Sequence, residues 1–181
     1  GLMHTVKKEN VAEHSHMVAV ISHLLTVIKN KKFNGSLNPD KAATVAIYHE
    51  ISESKLQDLN HVTKYHNPEF TKEFKKVENL SEKECLVSLP KELQASFSDL
   101  LVQDEVDPEY KVIVKAADII SAYIKACDEI RFGNVEFEPV KNKLSSMLIF
   151  YKNELPEVAY FMDIFAENCL VSVDKLAEQD S

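Results

Sequence analysis

Four side chains in this 181-residue sequence have the chemistry to hold a divalent cation together: His14, His49, Glu50 and Asp118. His14 falls on an apolar stripe whose other members are Val11, Val18, Ile21, Leu25 and Ile28, spaced by three, four or seven residues. His49-Glu50 closes a second apolar face made by Ala42, Val45 and Ala46. Asp118 is flanked by Ala116, Ala117, Ile119 and Ile120. A carboxylate in such surroundings costs several kcal/mol unless a partner compensates it. Two imidazoles and two carboxylates would compensate one another through a shared ion. These donors suit Co, Mn, Mg, Fe, Ni or Zn, without the thiolates of a structural zinc site. Taken singly, each histidine is more often a hydrogen-bonded core residue, and spacing alone nominates the convergence without establishing it.

The elements that must position these groups read as helices. Asn10 with Glu13 three residues on is a capping-box start, and the helix is expected to run to about Asn30. Asn34-Gly35 then makes a turn. Asn38-Pro39 starts a second helix. Glu53, four residues beyond His49, shares its face if that helix continues. Ser54–Asn60 reads as a loop, with a short helical piece near His61–His66. Asn67-Pro68, Leu89-Pro90 and Asp107-Pro108 each open a further helix, ending near Leu86, Val102 and Gly133-Asn134. Two more are expected over Glu138–Leu155 and Pro156–Glu178. No segment alternates like a strand, and no repeat or linker divides the chain, so residues 1–181 read as one all-α domain. Helical scaffolds commonly build metal sites from side chains on facing helices.

Composition agrees. The sequence is 45% hydrophobic and 28% charged, with only three glycines and six prolines, too few breakers for an all-β fold or a disordered chain. A net charge of −8 repels phosphate backbones and argues against nucleic-acid binding, while a metal can still attract a small phosphorylated substrate locally. Cys85, Cys127 and Cys169 are distant and odd in number, and read as buried free thiols of a cytoplasmic protein. No run is read as a membrane span, and no signal peptide is evident. The opening Gly1-Leu2-Met3 reads as a tag scar or a trimmed start. His16 and His23 lie off the His14 stripe and are expected at the surface or against a partner helix.

The order His14, then His49-Glu50, then Asp118 resembles the H…HD…D signature of HD-domain phosphohydrolases, and most closely the YfbR-like 5′-deoxynucleotidase branch. The resemblance is carried by Glu9–Ser15, Tyr48–Glu53, Asp58-Leu59, Lys64-Tyr65, Val114–Asp118, Ala122–Cys127, Gly133–Phe137 and Tyr160–Phe165, nearly the whole chain. It implies an all-α HD-domain helical bundle with one divalent metal between helices, and hydrolysis of the phosphate of deoxynucleoside 5′-monophosphates. It implies His14, His49, Glu50 and Asp118 as ligands, Glu53 as the catalytic acid that handles a proton or orients the attacking water, and Asp58 as the acid that contacts the sugar.

Some positions depart from the family pattern. Glu50 stands where the family has aspartate; its extra methylene carries the carboxylate about 1.5 Å further out. Gln57 replaces a glycine before the sugar-contacting acid, and Asn60-His61-Val62 replaces a Pro-x-x motif. An Arg-Trp pair used by the family at the phosphate would lie upstream of Gly1. His61 is a candidate substrate contact, against the ordinary reading of a surface histidine. The expected function is therefore a metal-dependent phosphomonoesterase on nucleotides. The alternatives are a degenerate HD protein that binds metal and a nucleotide or partner, and an enzyme for another phosphate ester. The apolar closing helices leave room for a homodimer.

Overall fold

The computed structural model describes residues 5–6, 9–56 and 67–166. These form helices α1 (Val11–Lys32), α2 (Pro39–Tyr48), α3 (Glu53–Leu56), α4 (Pro68–Val87), α5 (Lys91–Leu101), α6 (Pro108–Arg131), α7 (Glu138–Glu154) and α8 (Pro156–Phe161). A 3₁₀ turn (Val135–Phe137) precedes α7, and a π turn (Met162–Ala166) follows α8. No strand occurs among the described residues.

The cap residues act as expected. Asn10 Oδ1 accepts from the Glu13 N–H at 3.0 Å, and Glu13 Oε2 accepts from the Asn10 N–H at 3.1 Å, satisfying donors that a helix start leaves orphaned. The Asn38, Asn67 and Asp107 side chains cap α2, α4 and α6, each followed by proline in the first turn.

The core lies where the ligand-bearing helices meet. α1 packs on α2, α6 and α8, and α2 also packs on α6. Val18, Ile21, Leu25 and Ile28 of α1 meet Ala42, Val45 and Ala46 of α2 and Ile113, Ala116, Ala117 and Ile120 of α6, all buried. Full burial of one such large aliphatic side chain is worth about 1.5–3 kcal/mol. The alanines on α2 and α6 let the helices approach closely around the site. Val11, which the sequence places on the stripe, is 39% exposed because the stripe leaves the core at the first turn.

Two devices fix the helices relative to one another. The Asn30 side chain bridges the α1–α2 turn, donating to the Leu37 carbonyl at 2.6 Å and accepting from the Leu37 N–H at 3.1 Å. Asn34 has φ 55°, and a Cβ at Gly35 would stand 2.8 Å from Asn30 Oδ1, so the turn needs a left-handed residue followed by glycine. The Asn38 N–H donates to the Tyr110 hydroxyl at 2.9 Å, tying the start of α2 to α6.

Several expectations need correction. α2 stops at Tyr48, residues 49–52 form turns, and a short helix spans Glu53–Leu56 where a loop was expected. The closing helix expected over Pro156–Glu178 is helical through Ala166, as α8 and then a π turn, and the rest of it, like the helical piece expected near His61–His66, lies outside the described residues. Cys85 and Cys127 are free, but only half-buried. α1 is long and apolar enough by composition to cross a membrane, yet its Val18, Ala19, Ile21, Leu25 and Ile28 are packed in the core.

Candidate metal centre

The ligand set comes from three places in the bundle. His14 sits in the first full turn of α1, just after the capping box. His49 is the C-cap residue of α2, with Glu50 immediately after it. Asp118 lies in the middle of α6. One donor atom from each of the four lies within 4.8 Å of all the others, and no member is fully exposed. Metal–ligand bonds of about 2.0–2.2 Å are compatible with donors grouped this closely, so these four residues could hold one divalent ion.

The chemistry of each donor fits a cation. His14 Nε2 is 3.2 Å from Asp118 Oδ1 and 3.9 Å from Glu50 Oε1. His49 Nε2 is 3.7 Å from the same Glu50 oxygen. His49 Nδ1–H donates to the Ala46 carbonyl at 2.6 Å, a carbonyl at the end of α2 that also takes the His49 backbone N–H at 3.5 Å. That bond puts the proton on Nδ1 and leaves Nε2 as a bare lone pair. Nε2 is buried and has no hydrogen-bond donor among the described residues. A lone pair facing two carboxylates in a buried pocket is the arrangement a metal ion satisfies. The negative end of the α2 dipole adds to the preference for a cation.

The ionisation of the group follows from its packing. Burial works to depress the His14 pKa, but the hydrogen bond to Asp118, with the charges of Glu50 and Glu9, raises it above 6.5. His49 is pushed below 6.5, chiefly by burial, against the pull of Glu50 and Asp118. Burial alone would raise the Asp118 carboxyl; the bonds from His14 and Lys115 outweigh it and hold the group well below the usual carboxylate range. The cage thus presents a neutral imidazole at His49, an imidazole at His14 that holds its proton more tightly than usual, and an ionised Asp118.

A cleft of about 990 Å³ opens beside the cage. His49, Glu50, Glu53 and Asp118 line it, together with residues of α4 and α6. Glu53 therefore faces the same space as the ligands although α2 does not continue through it. The turn at 49–52, closed by Glu53 N–H to the Glu50 carbonyl at 3.0 Å, carries it there. Asp58 and His61 lie outside the described residues. His16 is exposed, and His23 pairs with Asp40 of α2 at 3.4 Å, so neither joins the cage.

Two residues near the cage were not assigned a role from the sequence. Glu9 Oε2 stands 3.9 Å from His14 Nδ1. Lys115 Nζ donates to Asp118 Oδ2 at 2.6 Å. The second was detectable in principle, since Lys115 and Asp118 are three apart on one helix and therefore share a face.

An all-helical bundle with two histidines and two carboxylates converging from separate helices defines the HD-domain class. An HD-domain phosphohydrolase from Listeria innocua shares this fold, with a TM-score of 0.81 at 20% identity over 94% of this chain and 82% of that one. The 5′-deoxynucleotidase YfbR-like family profile matches residues 1–169, and the chain belongs to that family. A relative from Vibrio cholerae named 5′-deoxynucleotidase is 42% identical over 176 residues, covering 97% of this chain and 90% of the relative. One from Yersinia pseudotuberculosis, also named 5′-deoxynucleotidase, is 42% identical over 97% of this chain and 88% of its own length.

Proposed function

We propose that this chain is a divalent-metal-dependent phosphohydrolase that removes the 5′-phosphate of deoxynucleoside monophosphates. The observation that carries the reading is the orphaned His49 Nε2, buried within a convergence of His14, Glu50 and Asp118 beside an open cleft. These four residues would hold the ion. When bound, the ion would polarise a phosphoryl oxygen and lower the pKa of a water to near neutrality.

The remaining work falls to the chain's own groups. Glu53, on the cleft wall, takes the proton from the attacking water onto its carboxylate and can return it to the leaving sugar oxygen. Asp58 is assigned to the deoxyribose by the family resemblance, and His61 is a candidate contact in the same loop. The half-buried thiols of Cys85 and Cys127 suit a reducing cytoplasm.

A degenerate, inactive HD protein is the second reading, and Glu50 is its motive. The geometry favours the active one. Glu50 Oε1 approaches both imidazoles at 3.7–3.9 Å, so the longer side chain still reaches the cage.

The test is release of phosphate from dAMP, dGMP and dTMP with Co²⁺ or Mn²⁺, beside Glu53→Ala. Activity in the wild type, abolished in Glu53→Ala, is the expected result. No turnover of any of these substrates, with turnover appearing in Glu50→Asp, would establish the degenerate reading.

A further inference from the structure

We propose that Lys115 is the cleft residue that grips the substrate phosphate beside the metal, a role resting on the phosphohydrolase reading above. Two carboxylates, Glu50 and Asp118, formally cancel a divalent ion, and Glu53 and Glu9 add negative charge close by. With these carboxylates offsetting the ion, its net pull on a phosphate dianion is weakened, and a further cation in the cleft would strengthen the hold. The net charge of −8 makes the long-range field unfavourable as well.

The residue that commonly answers this need is arginine, with its bidentate fork. Arg131 is the only arginine in the sequence. It sits in the last turn of α6, pairs with Asp128 at 3.0 Å and lies over the Phe132 ring, away from the cleft lining. Among the described residues the cations of the cleft lining are lysines: Lys75, Lys76, Lys111 and Lys115. Lys76 pairs with Glu73 at 2.7 Å, and Lys111 donates to the Gln103 carbonyl at 2.7 Å. Lys75 lies on α4, across the cleft from the ligand helices. Lys115 alone among these four is bonded to a member of the cage.

Its position suits the task. Asp118 turns Oδ1 toward His14 and Oδ2 toward Lys115, so one carboxylate links the cage to the ammonium. That bond fixes Nζ at the boundary between cage and cleft. The Lys115 side chain is 55% exposed and lines the cleft. An ammonium carries three donors, so it can serve an aspartate and a phosphate oxygen together.

The test is binding of inorganic phosphate to the Mn²⁺-loaded protein, read by paramagnetic broadening of its phosphorus NMR signal, with dAMP hydrolysis measured separately. Lys115→Met is expected to weaken phosphate binding and raise KM for dAMP about ten-fold or more. Mn²⁺ affinity should stay within a factor of a few, and Lys115→Arg should restore phosphate binding. Phosphate binding unchanged in Lys115→Met overturns the proposal. So does loss of Mn²⁺ affinity with phosphate binding to the loaded fraction unchanged, which would make Lys115 a positioning residue for Asp118. The two readings separate cleanly. Phosphate binding that depends on Lys115 in a protein that hydrolyses no nucleotide would keep this inference and remove the enzyme reading. Hydrolysis indifferent to Lys115→Met would do the reverse.

Discussion

His49 Nδ1 lies 2.6 Å from the Ala46 carbonyl oxygen, and that hydrogen bond decides what the other ring nitrogen can do. With the proton committed to the carbonyl, Nε2 is a buried acceptor lacking a donor among the described residues, so the metal-free protein carries a desolvation penalty there. Metal binding should remove that penalty and stabilise the fold. At free metal a hundred times Kd, linkage adds about 2.7 kcal/mol. Thermal unfolding with and without Co²⁺ should show a metal-dependent rise in Tm that EDTA reverses. In His49→Ala the metal-dependent rise should vanish.

Glu53 should separate binding from chemistry. It faces the cleft but is not one of the four converging donors. Glu53→Ala is therefore expected to leave Co²⁺ affinity within a factor of a few while kcat for dAMP falls by about 100-fold or more, the usual scale for loss of general acid–base assistance. Calorimetric metal titration and phosphate release, measured on one preparation, check both halves. A parallel fall in metal affinity would place Glu53 among the ligands instead.

Much of this site was legible in the sequence because its signals were local. His14 on an apolar stripe, Asp118 between alanines and isoleucines, and the Asn-Pro and Asp-Pro helix starts each report their own surroundings. What the sequence hid was the path of the chain between elements. The turn at 49–52 breaks α2, so the helical i, i+4 argument for Glu53 rested on a continuity that does not exist; Glu53 faces the cleft for a different reason. The Lys115–Asp118 contact is only weakly signalled by residue type. An i, i+3 lysine usually reads as solvated surface, and only the depth of Asp118 shows otherwise. The 3.7 Å reach of Glu50 to His49 likewise depends on backbone placement that residue types do not encode.

Glu50 invites a length test. Its Oε1 lies 3.9 Å from His14 Nε2 and 3.7 Å from His49 Nε2. Glu50→Asp withdraws the oxygens by about 1.5 Å, and misplacement of that order costs about 100-fold in a tuned site. The expected result is weaker Co²⁺ binding and a lower kcat, with Glu50→Ala worse on both counts. Equal activity in Glu50→Asp would mean that the backbone at the end of α2 moves to compensate.

The two imidazoles should titrate on opposite sides of 6.5 in the metal-free protein, His14 above and His49 below. Histidine proton NMR over the neutral range reads both. The signs for stability are also opposite. His14 contributes stability that is full below its unfolded pKa and is lost as pH rises through its folded value. His49, held neutral, contributes stability that is present above its unfolded pKa and lost as pH falls through its folded value. Metal binding must expel the His14 proton, so Co²⁺ affinity should climb with pH through the His14 transition and level off above it. A flat affinity across that transition would show that His14 is not a ligand.

Far from the site, Lys29 and Glu157 pin α8 to α1 and so hold one wall of the core. Lys29 Nζ is 2.9 Å from Glu157 Oε1, and the Glu157 side chain is fully buried at the start of α8. Its second oxygen has no hydrogen-bond donor among the described residues. Removing the lysine strands a buried carboxylate, which typically costs about 3–5 kcal/mol, against about 5–15 kcal/mol for a whole domain. Lys29→Met should therefore lower the urea midpoint strongly. Lys29→Met with Glu157→Leu removes the stranded charge along with its partner, and replacing a buried pair by apolar groups is often near neutral. The double variant should recover most of the lost stability and keep the metal-dependent rise in Tm, since neither residue touches the cage. A double variant as unstable as Lys29→Met would show that the loss comes from the packing of the lysine stem rather than from the buried charge.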